Sequence, residues 1–370
     1  MSQTTRGGEE VRADRRRATA TRWSLPLILL VACAAPPNGD PRQPSPASAA
    51  TGDGEAERLV AAGLSDLETR RARDLQRAVE QLEAALELDP HNPVAWSGLA
   101  DASALLGLYS VVPAAETMPR AAAAAERALA LDPDLPRAHA SLGLVRYLYD
   151  WSWSEAEAHF RRALKLDPDD ATTHHWLAMM LTALGRSEEA VAQAERAVAA
   201  GAESRVVQIK AATVFAAAGR LERAERQLAD CLQRFPDAAL AHRELGYLRL
   251  RQGRLAEAIP AFERAAALAG GDSAEAGLGL AYALAGRAPD ARRVLGALES
   301  VAAGEPRPWF DLALVHAGLD ETDRAFESLE QALAARDPAL VYLASKPGLD
   351  RLAADPRYRR LAERIGLPVS

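Results

Sequence analysis

Glu155–Pro168 reads EAEAHFRRALKLDP. Ala156, Phe160 and Ala163 stand at i, i+4 and i+7, one face of a helix with a large residue between two small ones. Asp167-Pro168 closes the unit, because a residue before proline is pushed out of the helical region. The same pattern stands at Arg77–Pro90 (RAVEQLEAALELDP) and Arg120–Pro133 (RAAAAAERALALDP). Weaker copies follow at Glu189–Ala202, Arg223–Pro236, Glu257–Gly270 and Arg324–Pro338. A unit that returns about every 34 residues is the signature of a helical solenoid, in which each repeat buries its apolar face only against its neighbours.

Each copy is preceded by a second amphipathic stretch. In Pro93–Pro133, Trp96, Leu99, Ala100, Ser103 and Leu106 share one helical face. Gly107 is placed to end that helix, and a second helix is expected over Pro119–Leu131, with Pro119 in its first turn. Leu-Gly or Leu-Ala recurs in the leading helix at Leu99-Ala100, Leu142-Gly143, Leu177-Ala178, Leu245-Gly246, Leu278-Gly279 and Leu312-Ala313. A small residue where two helices cross lets their backbones approach closely. Small residues at these spacings resemble the tetratricopeptide repeat. That resemblance implies an all-α, right-handed superhelical solenoid of about eight helix-turn-helix repeats over residues 55–337. The leading helix of the first unit is poorly defined. Residues 338–370 lose the repeat and are expected to cap the array, since a bare last repeat exposes an apolar face. In that cap Leu349, Leu352, Tyr358, Leu361 and Ile365 are read as covering the second helix of the last repeat. Arg357, Arg359, Arg360 and Arg364 are read as facing water.

Two irregularities interrupt the array. The connection between Gly107 and Ala121 (with LYSVVPAAETMP inside it) is roughly nine residues longer than the repeat allows. Tyr149-Asp150-Trp151-Ser152-Trp153-Ser154 carries one extra residue and is strongly aromatic. Together with Thr172–Trp176 and the ending from Tyr342 to Leu367, they resemble the arrays that follow winged-helix, cyclase or kinase domains in bacteria. No such effector domain is legible here, so the signalling roles of those arrays do not carry over.

The place of an effector is taken by a different kind of segment. Arg12, Arg15, Arg16, Arg17 and Arg22 precede an apolar run, Trp23–Ala32. The run is too short for a membrane span, which needs about 20 residues, and fits the apolar region of a signal peptide. Leu30-Val31-Ala32-Cys33 resembles the lipobox of bacterial lipoproteins, which implies cleavage after residue 32 and acylation of Cys33. More than one acyl chain gives stable anchoring. Residues 33–54, rich in Pro, Ser, Ala and Gly, have no apolar period and read as a tether. The implied location is the extracytoplasmic face of the cell envelope. Ala34 after Cys33 resembles the sorting pattern of outer-membrane lipoproteins.

Composition bounds the partners. The chain carries 49% apolar and 26% charged residues and a formal charge of −7; residues 1–32 contribute +3, leaving −10 for the rest. An acidic body with dispersed arginines argues against nucleic acid. Of the two cysteines, Cys231 falls at a small-residue position and is expected to be a buried thiol.

No phosphate loop, nucleophile elbow, paired-cysteine motif or His-Glu-x-x-His is present, so no enzyme, cofactor, metal or small-molecule substrate is expected. His139, His174 and His242 share the fourth position of three leading helices, where Trp96 and Trp309 stand in other repeats. Packing therefore outweighs metal binding there. Trp151, Trp153 and Trp176 are read as packing residues filling the irregular turns. Arrays of this kind bind peptides or helices on the concave face lined by leading helices. By register that face carries Ser97, Asp101, Ala140, Leu144, His175, Met179, Thr213, Arg243 and Tyr247. Ser97, Ala140 and His175 stand where a carboxylate-gripping array has lysines, so that ligand class is disfavoured. Val111, Val112 and Met118 in the long connection either fold back on the array or contact a partner. The expectation is a lipid-anchored scaffold with an unidentified protein or peptide partner. The rival is a cytoplasmic regulatory module.

Overall fold

The computed structural model describes residues 46–268, 276–301 and 308–368. The expected signal segment, Cys33 and the first part of the tether lie outside them.

Among the described residues there are seventeen α-helices and no strand. Sixteen form eight successive pairs. They are α1 (Pro46–Thr69) with α2 (Ala72–Leu88), α3 (Pro93–Leu108) with α4 (Ala114–Leu131), and α5 (Pro136–Val145) with α6 (Trp153–Leu166). Next come α7 (Ala171–Ala183) with α8 (Ser187–Ala200), α9 (Arg205–Ala217) with α10 (Leu221–Arg234), and α11 (Ala239–Arg251) with α12 (Leu255–Leu268). The last two are α13 (Ala276–Leu284) with α14 (Ala288–Val301) and α15 (Trp309–Gly318) with α16 (Thr322–Ala334). Single 3₁₀ turns at Pro338–Tyr342 and Leu349–Leu352 lead to α17 (Pro356–Arg364).

The even-numbered helices are amphipathic, burying one stripe each: Ala156, Phe160 and Ala163 in α6, Ala224, Leu228 and Cys231 in α10. The odd-numbered helices pack between their neighbours and are buried nearly all round, as α3 and α7 are. Close approach explains the small residues. A Cβ on Gly246 would stand 2.6 Å from the Phe262 ring, which fills the groove between α11 and α12. Gly185, Gly219, Gly253 and Gly286 follow successive odd-numbered helices with φ between 70° and 74°. This left-handed step turns the chain into the next helix. Asp320 takes the same step in the last repeat at φ 59°.

Four expectations change. The first leading helix is well formed and starts at Pro46, inside the stretch read as tether; proline suits a first turn. Gly107 does not end its helix but lies within α3, where Thr117 and Met118 of α4 pack against it. The long connection is largely helical, because α4 begins at Ala114 and carries Pro119 inside it. Its apolar residues follow: Met118 is fully buried, and Val111 packs on the core. The extra aromatic residue is absorbed by a π turn, Arg146–Asp150, closed by Trp151 at φ 56°.

The C-terminal segment is arranged differently as well. α17 packs on α16, as a cap over the last even-numbered helix should, with Leu361 and Ile365 buried. Arg357 and Arg364 are not simply solvated; they pair with Asp323 at 2.9 Å and Glu330 at 2.7 Å. Leu349 and Leu352 lie on the other side, against α15. The chain between α16 and α17 therefore runs along the odd-numbered helices.

Candidate functional site: the concave groove

The histidines at the fourth position have one shared task. Nε2 of His139, His174 and His242 lies 3.1, 2.9 and 2.9 Å from the carbonyl oxygens of Pro133, Pro168 and Pro236. Trp96 does the same with its indole N–H, donating to the Pro90 carbonyl at 2.9 Å. A carbonyl only accepts, so each imidazole is the donor at Nε2. The ring staples each odd-numbered helix to the turn before it. Among the described residues no group of three His, Cys, Asp or Glu could hold a metal.

The groove residues picked out by register lie together on the odd-numbered helices, but few are open to a partner. Ser97 is buried and donates to the Val94 carbonyl. Asp101 accepts from Arg137 at 2.9 Å and from the Ser141 hydroxyl. Ala140, Leu144, His175, Met179 and Tyr247 are buried; Thr213 and Arg243 are half-buried. Of the long connection, Val111 and Val112 are half-buried, their N–H groups donating to the Leu106 carbonyl, and Met118 faces the core.

The chain's own C-terminal segment covers the middle of this face. The turn at Pro338–Tyr342 packs on α3, α7 and the π turn. Tyr342, Ser345, Lys346 and Pro347 then close a small cavity of about 60 Å³ with Met179, Thr213 and Tyr247. The Lys346 ammonium sits 3.5 Å from the Tyr247 ring centroid. Arg251 donates to the Ser345 carbonyl. At the far edge, Trp153 donates to the Ile365 carbonyl at 2.8 Å and Arg336 to the Tyr149 carbonyl at 2.9 Å. The Arg336 guanidinium lies 5.2 Å from the rings of both Tyr149 and Trp151. Residues some two hundred positions apart in the chain thus meet.

Magnitude decides whether this segment is a removable lid. Leu340, Val341, Leu343 and Leu349 are fully buried, and Leu352 is 3% exposed. At about 1.5–3 kcal/mol per buried aliphatic side chain, the five together hold the segment by roughly 10 kcal/mol, an upper figure. That is comparable to the net stability of a domain, so the middle of the groove is filled as part of the folded state.

Charges buried there are organised accordingly. Burial, with Lys210 and Arg70 nearby, pushes the His175 imidazole down to about 3, so it is neutral. Burial opposes the Glu244 charge, but the Lys210 ammonium at 2.8 Å prevails and holds the carboxyl down at about 2. Burial lowers Lys346 to about 8 and raises Asp337 to about 6.

The groove stays open on either side of this filling, in a cavity of about 560 Å³ between α9, α11, α13 and residues 344–351, and in a second pocket toward the first repeats. A pocket of about 280 Å³ is formed where α1, α3, α5 and α7 converge, floored by Leu67, Leu105, Leu144 and Trp176. Glu68, Arg70, Asp101, Arg137, Asp167 and Asp170 stand around it. Asp101 foremost, with Glu68 and Asp170 behind it, raises the Arg137 guanidinium against the opposing effect of burial. Asp170 also caps α7, accepting from the N–H groups of Thr172 and Thr173. Of these residues the register reading had found only Asp101 and Leu144. Of the others, Leu67, Glu68 and Arg70 belong to the first repeat, which lacks the small-residue spacing, Asp167 and Asp170 to an inter-repeat turn, and Leu105, Arg137 and Trp176 to α3, α5 and α7 outside the register positions. The signal for the turns was the Asp at each one.

Two models of the tetratricopeptide repeat match the chain, one over residues 68–111 and 209–273 and another over 152–213. With eight stacked helix pairs, the chain is built of tetratricopeptide repeats. That class comprises, in general, non-catalytic scaffolds for protein–protein interaction. Solved structures similar to it include yeast Tom70, 17% identical over 84% of this chain and 67% of that one, with a TM-score of 0.49. PilF of Pseudomonas aeruginosa is 17% identical over 59% and 93%, with a TM-score of 0.43. A thermophilic tetratricopeptide-repeat protein of Thermus thermophilus is 21% identical over 51% and 97%, with a TM-score of 0.43. A comparison with curated proteins found no match.

Proposed function

We propose that the chain is a lipid-anchored protein-interaction scaffold on the extracytoplasmic side of a bacterial envelope. The observation that carries the scaffold part is a stacked helical array whose concave face keeps a pocket open at the α1–α7 end while its own C-terminal segment fills the middle. The anchoring part rests on sequence: a basic segment, a short apolar run and Leu30-Val31-Ala32-Cys33 ahead of a Pro-rich stretch. On this reading the acylated Cys33 fixes the chain to the membrane, and residues 34–45 give the array reach. Partners meet the array rather than the anchor.

The test is the mass of the N-terminal peptide of the mature protein, taken from the membrane fraction of the native host. The expected result is a peptide beginning at an acylated Cys33, absent from a Cys33→Ala variant. An unprocessed Met1 terminus without lipid would overturn the anchor and make a cytoplasmic regulatory module the better reading. Cross-linking in the same membranes tests the scaffold part: a defined adduct is expected, and a chain that migrates alone would contradict it.

A further inference from the structure

We infer that the open pocket at the α1–α7 end of the groove is the docking site for an extended peptide that presents a lysine or arginine. This rests on the scaffold reading and names the site and chemistry of its partner.

The location follows from exclusion inside the groove. From α7 to α11 the face is occupied by the C-terminal segment, whose burial is too large for a peptide to displace, and the cavity of about 560 Å³ between α9, α11, α13 and that segment is walled by Arg251, Lys346 and Arg351 with Asp350, the wrong sign for a cation. At the α1–α7 end the pocket stands open, with Leu67, Leu105, Leu144 and Trp176 at its floor themselves only 2–7% exposed. The walls rather than that floor therefore decide what binds.

The sign of the partner's charge follows from the walls. Four carboxylates, Glu68, Asp101, Asp167 and Asp170, face two guanidiniums, Arg70 and Arg137. Arg137 is already satisfied, bonded to Asp101 and drawn by Glu68 and Asp170. The N-termini of α5 and α7 add about half a positive charge each and the C-terminus of α1 subtracts as much, so the pocket stays negative. Glu68 and Asp167 are exposed at the rim. Asp167 accepts a long bond of 3.4 Å from the Asp169 N–H, in contrast to the two capping bonds that engage Asp170. An added cation gains from both rim carboxylates, whereas a carboxylate ligand would be repelled by all four. Exposed rim charges steer and select more than they tighten, and salt screens them.

The experiment titrates the full chain with a short fluorescein-labelled peptide of alternating leucine and lysine, read by fluorescence anisotropy. Peptides with glutamate or glutamine for lysine are run beside it. The protein variants are Glu68→Gln with Asp167→Asn, and a remote control with the same charge change, Glu222→Gln with Glu327→Gln. The expected result is selective binding of the lysine peptide, weakened roughly tenfold by the rim pair, unchanged by the control pair and lost at high salt. Equal weakening by both pairs would reduce the effect to general attraction toward an acidic chain and overturn the inference. Rim-sensitive binding of the glutamate or glutamine peptide, equal or tighter, would overturn the cation assignment and leave the scaffold standing. Failure of all three peptides would overturn the site, with membrane cross-linking deciding the scaffold separately.

Discussion

His175 shows how far the groove has become interior. It stands at a position that faces a ligand in carboxylate-gripping arrays, yet it is 5% exposed and held neutral. Its folded value of about 3 lies below the ordinary 6.5, so below pH 6.5 the unfolded chain takes a proton that the folded chain refuses. The stability it contributes is present above about pH 6.5 and is lost as pH falls toward 3, at up to about 1.4 kcal/mol per pH unit. Asp337, raised to about 6 from 3.8, works in the opposite sense. The folded chain keeps its proton where the unfolded chain has released it, so its contribution is present at low pH and is lost as pH rises through 6. Between about pH 4.5 and 6 the two slopes oppose each other. His175→Gln should therefore gain stability relative to wild type as pH is lowered across that window. Asp337→Asn, which keeps the cap on Ala339, should lose it. Urea midpoints of the three proteins at several pH values check this; parallel curves would contradict the buried assignments.

At the scale of elements, what the local pattern could reveal was largely legible. Ala156-Phe160-Ala163 and its copies announce a helix that buries one narrow stripe, and the structure places that stripe between repeats. Gly246 against Phe262 is the close approach that the Leu-Gly pairs implied. Pro119 misled, because a proline within the first turns of a helix leaves most backbone bonds intact and need not mark the start. The π turn was visible only as one residue too many. Its purpose depends on the opposite end of the chain, where it meets Arg336 and Ile365. Trp153→Phe should cost about 1 kcal/mol through the lost indole hydrogen bond. Arg336→Ala should cost about the same through the lost bond and ring stacking at an exposed site. Because both tie one turn to the C-terminal segment, the double variant should depart from additivity. Strict additivity in urea unfolding would mean that the two contacts act independently.

At the scale of the molecule, the repeat count and the concave face were readable, but the state of that face was not. Periodicity says which side of each helix faces inward. It does not say that the array brings residues 338–352 back against Met179, Thr213 and Tyr247, because no local pattern encodes a contact across more than a hundred residues. Leu340, Val341 and Leu343 read as a non-repetitive ending, with nothing in their spacing to point them into the groove. The same closure leaves the pocket at α1–α7 open, and it moves candidate contacts from Tyr247 and Met179 to Glu68 and Asp167. The filled groove is the claim on which the account turns. Hydrogen–deuterium exchange of the intact chain tests it directly. Amides of residues 340–352 are expected to exchange as slowly as those of α9 and α11, through unfolding of the whole array. Exchange of that segment within seconds, with α9 and α11 still protected, would show a free groove and contradict it.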